Sequence, residues 1–409
     1  MTGKSDSRLG AARDWISGVW WGTTTSAKYE IATVSVTLLD VLVNVPDPRR
    51  VEGRRHPLPH VLLFCILANL CGAHSYKRMA AFIRRHFKLL KRHFPCEMKK
   101  PIGKSQLRDL LARLCPEGFE SAFRIHAAAL EADALVGKGI DEKTAAVDGK
   151  TMKGSADMAT NQRMKQILSV FGTVGRVILA HVEIDQKTNE IPAAQELILA
   201  LGLKDRLYTF DAMHCQVKTF EAVIAVGSDV LVQVKDNQEG LVDAVETMAV
   251  TNSPVQICET TDKIERGRKE TRRVEMFEAG PRLGLERWEP YARVALRVTR
   301  IVRTRVPGYW WRWETTVEIS WYVTNRVGRR VTYYAKAIRD HWSIENRNHR
   351  VRDGSLGEDA SKIRVNPGIV ARLKSFALNL GRANGIDNIQ HGFWLNLQDV
   401  ASVCVMKGV

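Results

Sequence analysis

No apolar run in this 409-residue chain is long enough to cross a bilayer. The best candidate, VLLFCILANLCGA at 61–73, falls short of the roughly 20 residues a spanning helix needs, so a buried core helix is expected there. The first residues, MTGKSDSRLGAARDW, hold no apolar stretch of the kind a secretory signal needs. No C-x-x-C occurs, and the seven cysteines (Cys65, Cys71, Cys96, Cys115, Cys215, Cys258 and Cys404) are odd in number and scattered. That pattern argues against a disulfide framework and a zinc knuckle, and the cysteines are expected to be small buried hydrophobes in a reducing cytoplasm. Neither G-x-x-x-x-G-K-[ST] nor H-E-x-x-H is present, so P-loop nucleotide hydrolysis and zinc proteolysis have no local support. Internal repeats and low-complexity segments are also missing.

Acidic residues are in short supply. Asp and Glu number 45 against 61 Lys and Arg, a formal charge of +16. Such an excess favours a polyanionic partner, because neutralising phosphates releases counterions. Charge alone leaves nucleic acid and an anionic membrane surface both open. The hydrophobic share, 45%, is enough for sizeable cores, and the length suggests two or three domains.

Residues 1–45 read as an unassigned leader. VPDPRRVEGRRHPLPH (45–60) reads as an extended linker rich in Pro and Arg. Helical spacing follows over 61–93, where Met79, Phe82, Ile83 and Phe87 recur between Lys and Arg, and two more helices are expected at 104–115 and 117–135. From Tyr76 to Arg113 twelve Lys and Arg face only Glu97 and Asp109. Residues 46–140 are therefore expected to form a basic, all-helical domain. Beyond Lys143 the character changes. TAAVDGKTMKG (144–154) is a short strand pattern, 166–185 two strands around Gly-Thr-Val-Gly, 190–203 an amphipathic helix, 207–212 a strand, 216–227 a helix and 229–237 a strand. The order implies an α/β domain with a mixed sheet. A strand-rich stretch at about 250–325 follows, then a long helix over 331–353, another over 367–384, and a tail at 389–409.

Asp148 and Asp211 each lie where an apolar strand gives way to polar residues. Such positions commonly hold Asp for turn chemistry alone. Glu345 lies in IRDHWSIENRNHRVRD, and helical spacing places it on the face of Ile338, His341 and Trp342, continued by His349 and Arg352. A carboxylate on a packing face needs a partner, and from helix geometry alone an ion pair with a buried Arg or His is the simpler account. Taken jointly, two strand-end aspartates and a helix-borne glutamate converging on one site would offer hard oxygen ligands suited to Mg²⁺ or Mn²⁺, with two ions able to promote phosphodiester cleavage. Lys150, two residues from Asp148, shares its side of an extended strand and would meet either a DNA phosphate or Asp148 itself. Arg84, Arg85, Lys88, Lys91 and Arg92 are dense enough to contact phosphates, or to form a solvated face. Arg347, His349 and Arg352 are further candidates near Glu345.

Several longer segments occur together and in order: PDPRRVEGRRHPLPHVLLFCILANLCGAHSYKRMAAF, AVDGKTMKGS, VEIDQKTNEIPAAQELI, TFDAMHCQ, KDNQ, GRKETRR and HWSIENRNHRVRDGSLGEDASKIR. In these the chain, from about Val45 to about Asn388, resembles the H-repeat-associated transposases of bacterial insertion sequences, within the broader DDE transposase group. The resemblance implies a ribonuclease H-like catalytic core over 141–388, interrupted by the strand-rich insertion and preceded by the basic helical domain. It implies that Asp148, Asp211 and Glu345 are the catalytic, metal-binding acids. It further implies double-stranded DNA as partner, both the inverted repeats of the protein's own element and a target, with pairing of two ends by a homodimer and a nucleoid-associated place in the cytoplasm. His214 stands where the family usually has Gly, and Asn348–Asp353 departs from the family's usual text. Three readings follow: an active transposase, a DNA-binding remnant or regulator without catalysis, and a general nuclease. Glu358 and Asp359, after Gly354 and Gly357, are expected to cap the next turn rather than supply the third acid.

Overall fold

Capping residues and glycines set the helix ends in the first part of the chain. The structure, a computed structural model, describes residues 36–137, 143–156, 164–184, 189–309 and 311–409. Thr37 and Asp40 form a capping box that starts α1 (Leu38–Leu42), and so part of the segment read as a leader is folded. Residues 1–35 lie outside the described residues. α2 (Leu58–Leu70) is the apolar run; eleven of its thirteen residues are buried, as expected of a core helix. Gly72, at φ +78°, supplies the left-handed residue that ends it, and Ser75 caps α3 (Tyr76–His93) through the Arg78 N–H. α4 (Lys104–Ala112) and α5 (Pro116–Val136) follow; Pro116 opens α5 at a position where a missing N–H costs nothing.

Alternation then gives way to strands: β1 (Lys143–Met152), β2 (Lys165–Gly172), β3 (Val177–Ile184), α6 (Glu190–Leu201), β4 (Arg206–Phe210), α7 (Val217–Ala225), β5 (Asp229–Val234) and α8 (Glu239–Thr251). α8 was not expected from the sequence. Four strands come next, β6 (Gln256–Thr261), β7 (Arg268–Glu278), β8 (Val294–Arg305) and β9 (Trp313–Thr324). All nine strands join one mixed sheet in the order β3-β2-β1-β4-β5-β9-β8-β7-β6. β1 pairs in parallel with β4, and β4 with β5; the other neighbours are antiparallel. The strand-rich stretch thus extends the same sheet from β5 outward.

α9 (Val331–His341) lays Val331, Tyr334, Ala337 and Ile338, at helical spacing, against Leu207, Leu231, Val274 and Leu296 of the sheet. Removing Val331 or Ile338 from water contributes roughly 1.5–3 kcal/mol each. The long helix expected over 331–353 is interrupted: a π-helical turn occupies Ile344–His349 before α10 (Arg350–Gly354). α11 (Pro367–Ala383) packs on α2, α5 and β3. The stretch read as a tail holds α12 (Ile389–Gln398) and α13 (Val400–Val403), and Asn396 Nδ2 donates to Leu70 O at 2.9 Å. One buried cluster runs from Leu38 on α1 through the sheet to Cys404, so the helical region and the sheet share a core.

A buried polar network crosses that core. Glu120 on α5 accepts from the His181 backbone N–H of β3 at 2.6 Å and from Arg372 Nε of α11 at 2.7 Å. Burial pushes its carboxyl up, but His181 and Arg372 outweigh that and hold it at about 2. A carboxylate held below its unfolded value of 4.5 stabilises the fold above that pH, and the stabilisation is lost as pH falls from 4.5 through about 2. Glu120→Gln leaves the Arg372 charge buried with less compensation, and urea unfolding at pH 7 should show a loss of about 3–5 kcal/mol. The variant should also show a shallower fall in stability over that acid window. Unchanged stability at pH 7 would remove the network from the account.

Candidate functional site

The register of β1 against β4 sets the site. Ala146 pairs with Thr209, the last matched position of that parallel ladder. Two residues further, Asp148 and Asp211 fall level with each other and on the same side of their strands. Asp211 ends the apolar strand β4, as expected. β1 runs on past Asp148 to Met152, paired with β2 only, so Asp148 stands where the neighbour peels away rather than at a strand end. Ligands of open α/β sheets gather at such carboxyl ends of parallel strands.

The third acid comes from the π turn. The Arg350 N–H reaches back five residues to Glu345 O, a wider turn than the 3.6-residue spacing assumes. Trp342, at the end of α9 and ahead of the π turn, is 54% exposed instead of packed, while within the turn Ile344 is buried and Glu345 is exposed at the rim. His341 keeps its expected place toward the sheet: its Nδ1 lies 2.8 Å from Thr209 Oγ1, on the strand that ends in Asp211. His349 is buried with Nε2 3.7 Å from Asp148 Oδ2, too far for a hydrogen bond.

Electrostatics tie the three acids together. Burial pushes the Asp148 carboxyl up, the Gly149 N–H at 2.9 Å pulls it down, and the charges of Glu190, Asp211 and Glu345 raise it again, to about 7. The His341 imidazole is pushed down to about 4 by burial, against the pull of Asp211. Among the described residues Asp211 and Glu345 make no ion pair and no side-chain hydrogen bond, and Asp148 meets no Lys or Arg. No group of three or more His, Cys, Asp or Glu among the described residues is closed tightly enough to hold a metal ion in this conformation. A half-buried cluster of like charges with no cationic side chain nevertheless has the donor chemistry of a divalent-cation site.

Sequence reasoning missed Glu190. It opens α6, and its carboxylate lies so close to β1 that a Cβ on Gly149 would sit 2.6 Å from Oε1. Glycine at 149 is what lets the fourth carboxylate approach. His214, buried to 1% exposure, sets Nε2 3.5 Å from Glu190 Oε1, and neither of its ring nitrogens has a hydrogen-bond partner. Its ring packs on Phe210, with centroids 5.3 Å apart. The available signal was E-I-P directly after a capping Asn, which reads equally well as an ordinary helix start.

The expected phosphate contacts divide. Arg84, Arg85, Lys88, Arg92 and Arg347 are exposed. Lys91 is half-buried, donates to Met98 O at 2.9 Å and lies over the Phe87 ring. Lys150 is 7% exposed and pairs with Asp353 and, at 3.6 Å, Asp359, not with Asp148. Arg352 is 1% exposed and forks onto Glu358 at 2.7 and 3.0 Å. A cation buried in an ion pair cannot reach a phosphate without leaving its partner, which disfavours Lys150 and Arg352 as phosphate contacts, while the buried His349 Nε2 has no hydrogen-bond partner among the described residues. The capping role expected of Glu358 and Asp359 is also overturned: Glu358 is buried on Arg352, and Asp359 pairs with Lys153 at 3.1 Å.

The family profile described as Transposase DDE domain matches residues 140–380, and the one described as DDE_Tnp_1-associated matches residues 39–127. The chain is similar to "Putative transposase YncI" of Escherichia coli O157:H7, 29% identical over 355 residues, covering 85% of this chain and 87% of that protein. It is also similar to "H repeat-associated putative transposase YhhI" of Escherichia coli strain K12, 27% identical over 80% of this chain and 85% of the relative. Among solved structures it is similar to the piggyBac transposase synaptic complex with hairpin DNA at a TM-score of 0.38 and 9% identity, over 90% of this chain and 78% of that one, a likeness too distant to carry weight. The DDE match spans more than half of the chain, and the protein belongs to the Transposase DDE domain family.

Proposed function

We propose that the protein is an active DNA transposase that cleaves phosphodiesters and transfers strands at the ends of its own insertion sequence. Asp148, Asp211 and Glu345 are its catalytic acids. The observation that carries this reading is the parallel register of β1 and β4, which sets Asp148 level with Asp211, together with the charge of Glu345 felt at Asp148. The strand order β3-β2-β1-β4-β5, with β2 antiparallel to both neighbours, supports a ribonuclease H-like core over 141–388. The helices of 46–140 form the associated basic domain.

The three acids would hold Mg²⁺ or Mn²⁺, and Glu190 lies near enough to Asp148 to add a further oxygen. When bound, two such ions supply charge that activates the attacking oxygen and stabilises the leaving one. The chain's own residues hold the acids in place. His341, neutral at pH 7 and bound to Thr209, fixes the end of α9 over β4 beside Asp211. Lys150 pins Asp353 and Asp359 to β1, which keeps the residues after the π turn close to Asp148. The partner is double-stranded DNA, consistent with the +16 charge, and pairing of two ends is served by a homodimer.

Single-turnover cleavage of a duplex carrying the DNA that flanks the protein's gene tests this. Asp148→Asn, Asp211→Asn and Glu345→Gln should each slow cleavage by at least about 100-fold, about 2.7 kcal/mol on the barrier, with thermal melting and duplex binding retained. Cleavage at near wild-type rate by any of them would remove that residue from the chemistry. Chelation should stop cleavage by the wild-type protein and added Mg²⁺ or Mn²⁺ restore it; cutting that persists in excess chelator would contradict the metal role. Glu358→Gln serves as contrast. It should lose about 3–5 kcal/mol of stability in urea unfolding by stranding Arg352, and whatever folded fraction remains should still cut.

A further inference from the structure

A cleft of about 1010 Å³ opens between the start of α3, α4 and the segment 356–365. Six cations line it, Lys77, Arg78, Lys104, Arg108, Lys362 and Arg364, against one acid, Asp109. Arg108 pairs with Asp109 at 3.0 Å on the surface, and Arg364 donates to Ala156 O at 3.1 Å. Lys77, Arg78, Lys104 and Lys362 form no ion pair among the described residues. Gathering unneutralised cations in a concavity is unfavourable on its own and focuses a positive potential there. The amino ends of α3 and α4 face the same space and add to it.

The charge does not stop at the cleft. Arg84 and Arg85 lie seven residues beyond Lys77 and Arg78, and Lys88 and Arg92 follow at helical spacing; all four are exposed. The stripe continues along α3, which at 18 residues is about 27 Å long. A single phosphate would fill one corner of such a surface, whereas a linear polyanion would use its length. The segment 356–365 is also fixed to the acidic site. Glu358 is forked onto Arg352, and Asp359 meets Lys150, two residues along β1 from Asp148. A backbone held against this wall is held at a set position relative to Asp148.

We propose that this cleft and the outer face of α3 form the track for a DNA phosphate backbone leading to the acids, an inference that rests on the transposase reading above. Lys77, Lys104 and Lys362 are its phosphate contacts, in place of Lys150 and Arg352.

The test uses the full chain with chelator present, so that no cleavage intervenes, and a labelled duplex of about 40 base pairs of mixed sequence. Binding is followed by anisotropy across salt from roughly 50 to 200 mM, the range over which counterion release is read. Lys77→Ala/Lys104→Ala/Lys362→Ala should lower the log–log salt slope by about 2.7, at about 0.9 per lost contact. Lys204→Ala/Lys218→Ala/Lys263→Ala, three exposed lysines that do not line the cleft, should leave the slope unchanged. Lys362→Glu alone, a single surface change, should weaken binding more than Lys204→Glu and guards against misfolding of the triple variant. A wild-type slope in the cleft variant, or an equal loss in the control variant, overturns the proposal. Metal-free binding does not involve the acids, so failure here leaves the cleavage results for Asp148, Asp211 and Glu345 standing, and failure there leaves this slope standing.

Discussion

Pairing β1 with β4 in parallel, at the register of Ala146 to Thr209, leaves Asp148 and Asp211 side by side just past the ladder, with Glu190 and Glu345 close behind. Burial, and then the like charges of Glu190, Asp211 and Glu345, push the Asp148 carboxyl up to about 7. Among the described residues the Gly149 N–H, at 2.9 Å, eases this repulsion at Asp148, and no Lys or Arg offsets the rest. It has to be carried by the sheet, by the apolar face of α9 laid across it, and by the π turn that lifts Glu345 to the rim instead of burying it.

Elsewhere the same chain treats buried charge in the opposite way. Glu120 meets Arg372 and His181, Glu131 meets Arg206, and Glu358 meets Arg352, each an acid inside the molecule matched by a base. These pairs also do mechanical work. Glu120 links α5, β3 and α11, and the Lys150–Asp353–Asp359 group ties the residues after the π turn to the strand of Asp148. The contrast between matched acids in the scaffold and unmatched acids at one sheet edge separates structure from chemistry better than burial alone.

Much of this was legible in the sequence. The strand–helix order from 143 to 237 followed from apolar periodicity, from Pro192 and Gly202 near the ends of α6 and from the Gly-containing turn before β3, and the change from apolar to polar residues placed Asp211, though β1 runs on past Asp148. What escaped depends on contacts distant in the chain or on helix phase. A period of 3.6 put Trp342 and Glu345 on the packing face, but neither the end of α9 at His341 nor the π turn that starts at Ile344 can be read from residue types. Lys150 was read as meeting a phosphate or Asp148 because the acids it does meet lie some two hundred residues away, and Glu190 looked like a helix start because its approach to Gly149 exists only once α6 packs beside β1. α8 was passed over although its buried Leu241, Val245 and Met248 recur at helical spacing.

The central claim is that the unmatched acids form one cation site. Calorimetric titration of the DNA-free protein with Mn²⁺ at neutral pH measures this directly, without cleavage or duplex. Wild-type protein should bind Mn²⁺ and melt at a higher temperature in its presence, as any ligand of the folded state requires, while Asp148→Asn/Asp211→Asn should show neither effect although it remains folded. Equal Mn²⁺ binding by the two proteins would contradict the account.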